Sequence, residues 1–164
     1  MIIIDQDTRN WFGAIRKDDT STIKKMLKNG FDVNSRDKNG RTAIFYNISN
    51  TTFLRLINSG IDVNIVDKTN ETALMVLCYN KSKYNSFIIK KLIELRTDLS
   101  IISYNSWRGN CFDINKKLFE DINIQNCIMT NVPEYVELMK DIKIHPEIEE
   151  KYEEYFNMND IGLF

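Results

Sequence analysis

The side chains that most often carry chemistry are few in this chain and poorly placed for it. His145 is the only histidine, and it directly precedes Pro146. A general acid or base needs a partner within hydrogen-bond reach. A lone histidine before a helix-starting proline reads instead as a loop or helix N-cap residue. Cys78, Cys111 and Cys127 lack Cys-x-x-Cys spacing, which argues against zinc and redox-pair chemistry. They read as reduced, buried thiols of a cytoplasmic protein. The six glycines are scattered, so no loop is built to cradle phosphate, and no GxSxG, HExxH or GxxxxGK[ST] pattern occurs. No catalytic set, metal site or cofactor is expected.

Charge carries more information. Glu149, Glu150, Glu153 and Glu154 fall on neighbouring positions of one helical stretch. A catalytic pair would need a cleft around it, so these four read as a solvated acidic face that can still bind a partner. Lys24, Lys25, Lys28, Lys81, Lys83, Lys90, Lys91, Lys116 and Lys117 are interspersed with aromatics, and most lie on or beside outer helices, where lysine is an ordinary solubilising residue. No zinc finger or aromatic RNA-binding motif accompanies them. The 22 basic and 23 acidic residues give a net charge of −1, which speaks against a nucleic-acid partner. That total is a cancellation: residues 134–164 hold nine acidic and three basic residues, leaving −6 there and +5 in the rest. The apolar residues 1–4 are cut off by Asp5 and Asp7, short of a signal-peptide core, and no stretch is long and apolar enough to span a membrane.

The elements that must position these residues follow from a repeat. Gly30-Phe31-Asp32-Val33-Asn34 recurs 30 residues later as Gly60-Ile61-Asp62-Val63-Asn64. Asp37-Lys38-Asn39-Gly40-Arg41-Thr42-Ala43 recurs at the same interval as Asp67-Lys68-Thr69-Asn70-Glu71-Thr72-Ala73. Thr97-Asp98-Leu99-Ser100 is a weaker third copy. Helical apolar runs precede each landmark: Ile23, Met26 and Leu27, then Phe53, Leu54, Leu56 and Ile57, then Ile88, Ile89, Leu92, Ile93 and Leu95. Gly30 and Gly60 suit the left-handed residue that ends a helix. Gly40 suits a tight turn between short extended arms. Thr42 and Thr72 are placed to cap helices over residues 43–49 and 73–80.

Turn, helix, loop, helix over about 33 residues resembles the ankyrin repeat. The resemblance covers residues 8–112 and implies an all-α, ankyrin-like helix-turn-helix solenoid with short β-hairpin turns. It divides into an N-terminal capping repeat over 9–36, repeats over 37–66 and 67–102, and the start of a degenerate repeat over 103–112. Residues 113–164 are expected to form a helical C-terminal cap, with a helix over 111–122 and two more starting at Pro133 and Pro146. The family's Thr-Pro-Leu-His is here Thr42-Ala43-Ile44-Phe45 and Thr72-Ala73-Leu74-Met75. The usual Thr–His hydrogen bonds therefore cannot form. The short first interval is expected to fall in the loop at 49–51, and the long second one at 80–85.

The resemblance implies a non-enzymatic module that binds, and inhibits or sequesters, another protein. Two narrower roles fit the small size and acidic end: an immunity protein neutralising a bacterial toxin through its acidic helices, or a viral factor intercepting a host protein. A free monomer is expected. By position, the hairpin tips offer Arg36, Lys38, Asn39 and Arg41, then Val66, Lys68, Thr69 and Glu71, then Tyr104, Asn105, Trp107 and Arg108. Helix ends add Arg16, Lys17, Ser49, Asn50, Tyr79 and Asn80. Trp107 has two readings, an interface anchor or a seal between the last repeat and the cap.

Overall fold

The computed structural model describes residues 5–79, 85–104, 109–139 and 142–148. The chain forms two compact units, one running to Leu77 and the other starting at Cys78. The expected division between residues 112 and 113 falls inside a helix, Cys111–Ile114.

The N-terminal unit starts with helices α1 (Gln6–Lys17) and α2 (Thr20–Lys28). The Asp5 carboxylate opens α1 by accepting the Thr8 N–H at 2.7 Å. Asp19 opens α2 in the same way through Thr22 N–H, and also accepts the Ser21 and Thr22 hydroxyls. Those bonds hold Asp19 down to a pKa of about 2. The apolar face of α1 is buried through Trp11, Phe12, Ala14 and Ile15. Trp11 lies against Phe31 with ring centroids 4.9 Å apart, so it closes the core edge. Helix α3 (Asn50–Asn58) is capped by the Ser49 hydroxyl and buries Phe53 and Leu56.

Each outer helix ends by the same device. Gly30 has φ +83° and Gly60 φ +82°. The next N–H then turns back: Phe31 to the Met26 carbonyl at 3.1 Å, and Ile61 to Leu56 at 3.2 Å. In the third copy Thr97 donates to Leu92 at 3.1 Å, and the left-handed residue is Arg96 with φ +58°. A side chain in this conformation costs about 1–2 kcal/mol. Arg96 also donates to the Asn131 carbonyl at 3.0 Å and pairs with Glu134.

One expected helix collapses. Residues 43–49 form only a 3-10 turn, Ala43–Phe45, before the chain extends at Tyr46. The Thr42 hydroxyl caps nothing and is buried without a partner. In the next copy Thr72 Oγ1 accepts the Met75 N–H at 3.3 Å, and α4 (Ala73–Tyr79) forms. The short first interval is thus absorbed in the helix after Thr42, not in the loop at 49–51. Extension at Tyr46 brings its hydroxyl to Asp37, which compensates the lost turn.

The C-terminal unit holds α5 (Ser86–Glu94), α6 (Cys111–Ile114), α7 (Lys116–Phe119), α8 (Ile122–Asn131) and a 3-10 helix, Pro133–Met139. The single helix expected over 111–122 is broken at Asn115. That side chain caps α7 at Leu118 N–H and donates to the Cys78 carbonyl at 3.0 Å. Helix α8 packs on α5 and on the 3-10 helix. Tyr135 OH donates to Asp98 at 3.2 Å, fastening that 3-10 helix to the third loop. Gln125, 1% exposed, latches the end of the described chain. Its Nε2 donates to the carbonyls of Phe119 (2.9 Å) and Lys143 (2.8 Å), and its Oε1 accepts the His145 N–H at 2.8 Å. His145 Nδ1 accepts the Glu147 N–H at 3.3 Å, the loop and cap role expected of it. The three cysteines are free and buried, and burial pushes the Cys78 thiol up to about 12.

Gln125→Leu removes the partner of one buried carbonyl, at Phe119, and of the part-buried Lys143 carbonyl and His145 N–H. It should lower the stability of the C-terminal unit by about 2 kcal/mol or more, read by chemical denaturation. An unchanged denaturation midpoint would show that the latch is not structural.

Candidate hairpin-turn interface

The N-terminal unit carries a pair of turns built on buried carboxylates. Asp37 and Asp67 are each 6% exposed. Asp37 Oδ1 accepts the N–H groups of Asn39 (2.8 Å) and Arg41 (2.9 Å), and Oδ2 accepts the Tyr46 hydroxyl at 2.7 Å. Asp67 Oδ1 accepts the Thr69 N–H (2.8 Å), the Thr69 hydroxyl (2.6 Å) and the Glu71 N–H (3.2 Å). Backbone bonds close both loops, Asp37 N–H to Arg41 at 2.9 Å and Asp67 N–H to Glu71 at 3.0 Å. The fourth turn residue is left-handed in each, Gly40 at φ +82° and Asn70 at φ +58°. The extended arms are minimal, a single bridge between Val66 and Thr72.

The turns are also joined to each other. Lys68 N–H donates to the Asn39 carbonyl at 2.9 Å. Arg41 Nε donates to Asp67 Oδ2 at 2.8 Å. Behind them, Asn34 clamps the next copy: its Nδ2 donates to the Gly60 carbonyl (3.2 Å) and its Oδ1 accepts the Asp62 N–H (2.8 Å). Burial alone would raise the pKa of Asp67. Bonds from the Thr69 hydroxyl, Arg41 and the backbone outweigh it and hold the carboxyl below its ordinary 3.8. Burial, then the hydrogen bond to Asp37, pushes the Tyr46 hydroxyl above its usual 10.

The expected contact residues divide sharply on this frame. Arg36, Lys38, Asn39 and Lys68 are exposed on the two turns. Thr69 is half-buried and Arg41 half-buried in its ion pair with Asp67. Glu71 departs from expectation: it is 1% exposed, with its carboxylate 3.9 Å from Arg41, so it belongs to the frame and offers nothing to a partner. Arg16 is not a free helix end, since its guanidinium lies 5.4 Å from the centre of the Tyr46 ring. Ser49 is occupied in capping α3. In the C-terminal unit, Tyr79 is half-buried and Tyr104 is 76% exposed. Asn80, Asn105, Trp107, Arg108, Glu149, Glu150, Glu153 and Glu154 lie outside the described residues. Asp37, Asp67, Asn34 and Tyr46 were not expected as site residues. The recurrence of Asp37 and Asp67 at 30 residues was the available signal.

Among the described residues, no cluster of His, Cys, Asp or Glu could hold a metal ion, and no helix is long and apolar enough to cross a membrane. Residues 11–103 match the ankyrin repeats family in 3 copies, and the chain belongs to that family. Ankyrin repeats are protein–protein interaction modules rather than catalytic ones. No curated protein matches the chain.

Asp67→Asn should cost about 2 kcal/mol at neutral pH, since a neutral amide weakens the bonds to Arg41 and to the turn. The lowered pKa fixes the sign of the pH dependence. The stabilisation is complete above the ordinary 3.8 and is lost as pH falls through the depressed folded value. Thermal unfolding midpoints of variant and wild type should therefore converge in acid. A gap that persists there would contradict the assignment.

Proposed function

We propose that the chain binds and sequesters a partner protein through the exposed residues of the two hairpin turns, Arg36, Lys38, Asn39 and Lys68. The observation that carries this reading is the join between the turns. With Lys68 N–H bonded to Asn39 and Arg41 bonded to Asp67, the backbone under these side chains is fixed before any partner arrives. Pre-organised groups bind with less loss of conformational freedom. The side chains on the turns are long, polar and solvated, as the rim of a recognition surface requires. Tyr104 is a second contact, because an exposed tyrosine supplies large area with little rotamer entropy. Sequestration fits a module that offers a surface and, among the described residues, no chemistry.

The test is affinity capture of the partner from the native cell, followed by direct binding measurements on the purified pair. Arg36→Ala/Lys38→Ala/Lys68→Ala should weaken that binding about tenfold or more, with circular dichroism and melting temperature unchanged. Full retention of affinity would place the interface elsewhere on the protein.

A further inference from the structure

We propose that the two hairpin turns take an acidic segment of the partner, its Asp or Glu carboxylates docking on Arg36, Lys38 and Lys68. This rests on the hairpin-turn interface and adds its chemistry.

The carboxylates of the N-terminal unit are engaged locally, the buried and the exposed ones alike. Asp5 and Asp19 cap helices, and Asp32 and Asp62 accept the N–H groups of Asn34 and Asn64. Asp37 and Asp67 sit inside the turns, and Glu71 is buried beside Arg41. Asp18 opposes its burial penalty with Thr52 and Ser49 beside it, which keeps its carboxyl below the ordinary 3.8, although one of its oxygens has no hydrogen-bond partner. Asp7 lies in the first turn of α1, facing the positive end of the helix. Most of these acids thus have a local donor or dipole, and among the described residues none forms an ion pair with Arg36, Lys38 or Lys68.

Most cations are matched as well. Arg16, Lys17, Lys25 and Lys28 occupy the last turns of α1 and α2, and Arg55 the last turn of α3. The partial negative charge of a helix C-terminus favours them there. Arg41 is taken by Asp67, and Arg9 acts on Asp5. Lys24 stands alone in the middle of α2. Arg36, Lys38 and Lys68 remain as an unbalanced group. They are exposed, and among the described residues no carboxylate lies within ion-pair distance of them.

Three cations on two fused turns make a fixed positive field, which steers an acidic chain and sets its register. No aromatic residue occurs in either turn, over 36–41 or 66–71. The turns therefore lack the stacking platform with which proteins hold single-stranded nucleic acid. Carboxylates of a protein segment are the ligand that this surface fits.

The experiment uses the full chain and a fluorescein-labelled oligoglutamate peptide, read by fluorescence polarisation at low salt. Neutral Gly-Ser peptide and oligodeoxythymidylate serve as comparison probes. Oligoglutamate should bind, and the neutral peptide should not. Affinity should fall about fivefold or more on raising salt to physiological strength. Arg36→Glu/Lys38→Glu/Lys68→Glu should abolish binding. Lys24→Glu/Lys25→Glu/Lys28→Glu changes the net charge equally and should leave affinity within about threefold. Melting curves of both triple variants establish that they fold. Equal loss in the two variants, absent oligoglutamate binding, or tighter binding of oligodeoxythymidylate would each overturn the acidic-segment proposal. If the alanine variant still loses the captured partner while oligoglutamate fails to bind, the hairpin-turn interface stands and only its acidic chemistry falls.

Discussion

A carboxylate buried in each hairpin turn organises the N-terminal unit. An ionised side chain at 6% exposure is unfavourable unless its lone pairs are filled. Asp37 and Asp67 fill theirs with the backbone N–H groups that a tight turn leaves unpaired. One group therefore solves two problems, the desolvated charge and the orphaned amides. The remaining lone pairs then reach outward from the turn, Asp37 to the Tyr46 hydroxyl and Asp67 to Arg41 of the preceding copy. The second contact converts a local turn into a link between repeats.

The helix ends obey a related constraint. A repeat whose apolar face is one helix deep cannot be stable alone and must register on its neighbour. The left-handed residue at Gly30, Gly60 or Arg96 turns the chain sharply, so that the next Asp and Asn begin a new copy at a fixed offset. Asn34 then reads that offset directly by bonding both Gly60 and Asp62. Where the sequence drifts from the pattern, the structure substitutes other contacts. Tyr46 replaces a missing helical turn, and Arg96 replaces a glycine while tying the third loop to Asn131 and Glu134.

This explains what was legible beforehand. The repeat, the helix stops at Gly30 and Gly60 and the tight turn at Gly40 were visible because each rests on local backbone chemistry. The collapse after Thr42 was not, since Thr72 heads an equally apolar stretch and yet caps a full helix. The two copies differ in a contact beyond the stretch itself, the bond from the Tyr46 hydroxyl to Asp37. Helix α8 also escaped notice. Its stretch Ile122–Asn131 is rich in asparagine and weak in helical periodicity, and it is secured by contacts of Gln125 and Cys127 distant in sequence. On the hairpin turns, position in the repeat placed Arg36, Lys38 and Lys68 at the surface, but could not tell that Glu71 is turned inward. Burial decides that, and burial depends on Arg41 being drawn to Asp67.

The near-neutral total charge conceals a local division: in the N-terminal unit most acids are engaged by nearby backbone N–H groups, while Arg36, Lys38 and Lys68 face the solvent. The same carboxylates that stiffen the turns leave their cations without counter-charges. Rigidity and a positive surface thus have one cause. Native-state amide exchange at Asn39, Arg41, Thr69 and Glu71 tests that cause most directly. If buried carboxylates hold the turns, these four amides exchange within about tenfold of the core amides of α3. Exchange at the rate of an open loop, with α3 still protected, would contradict the account.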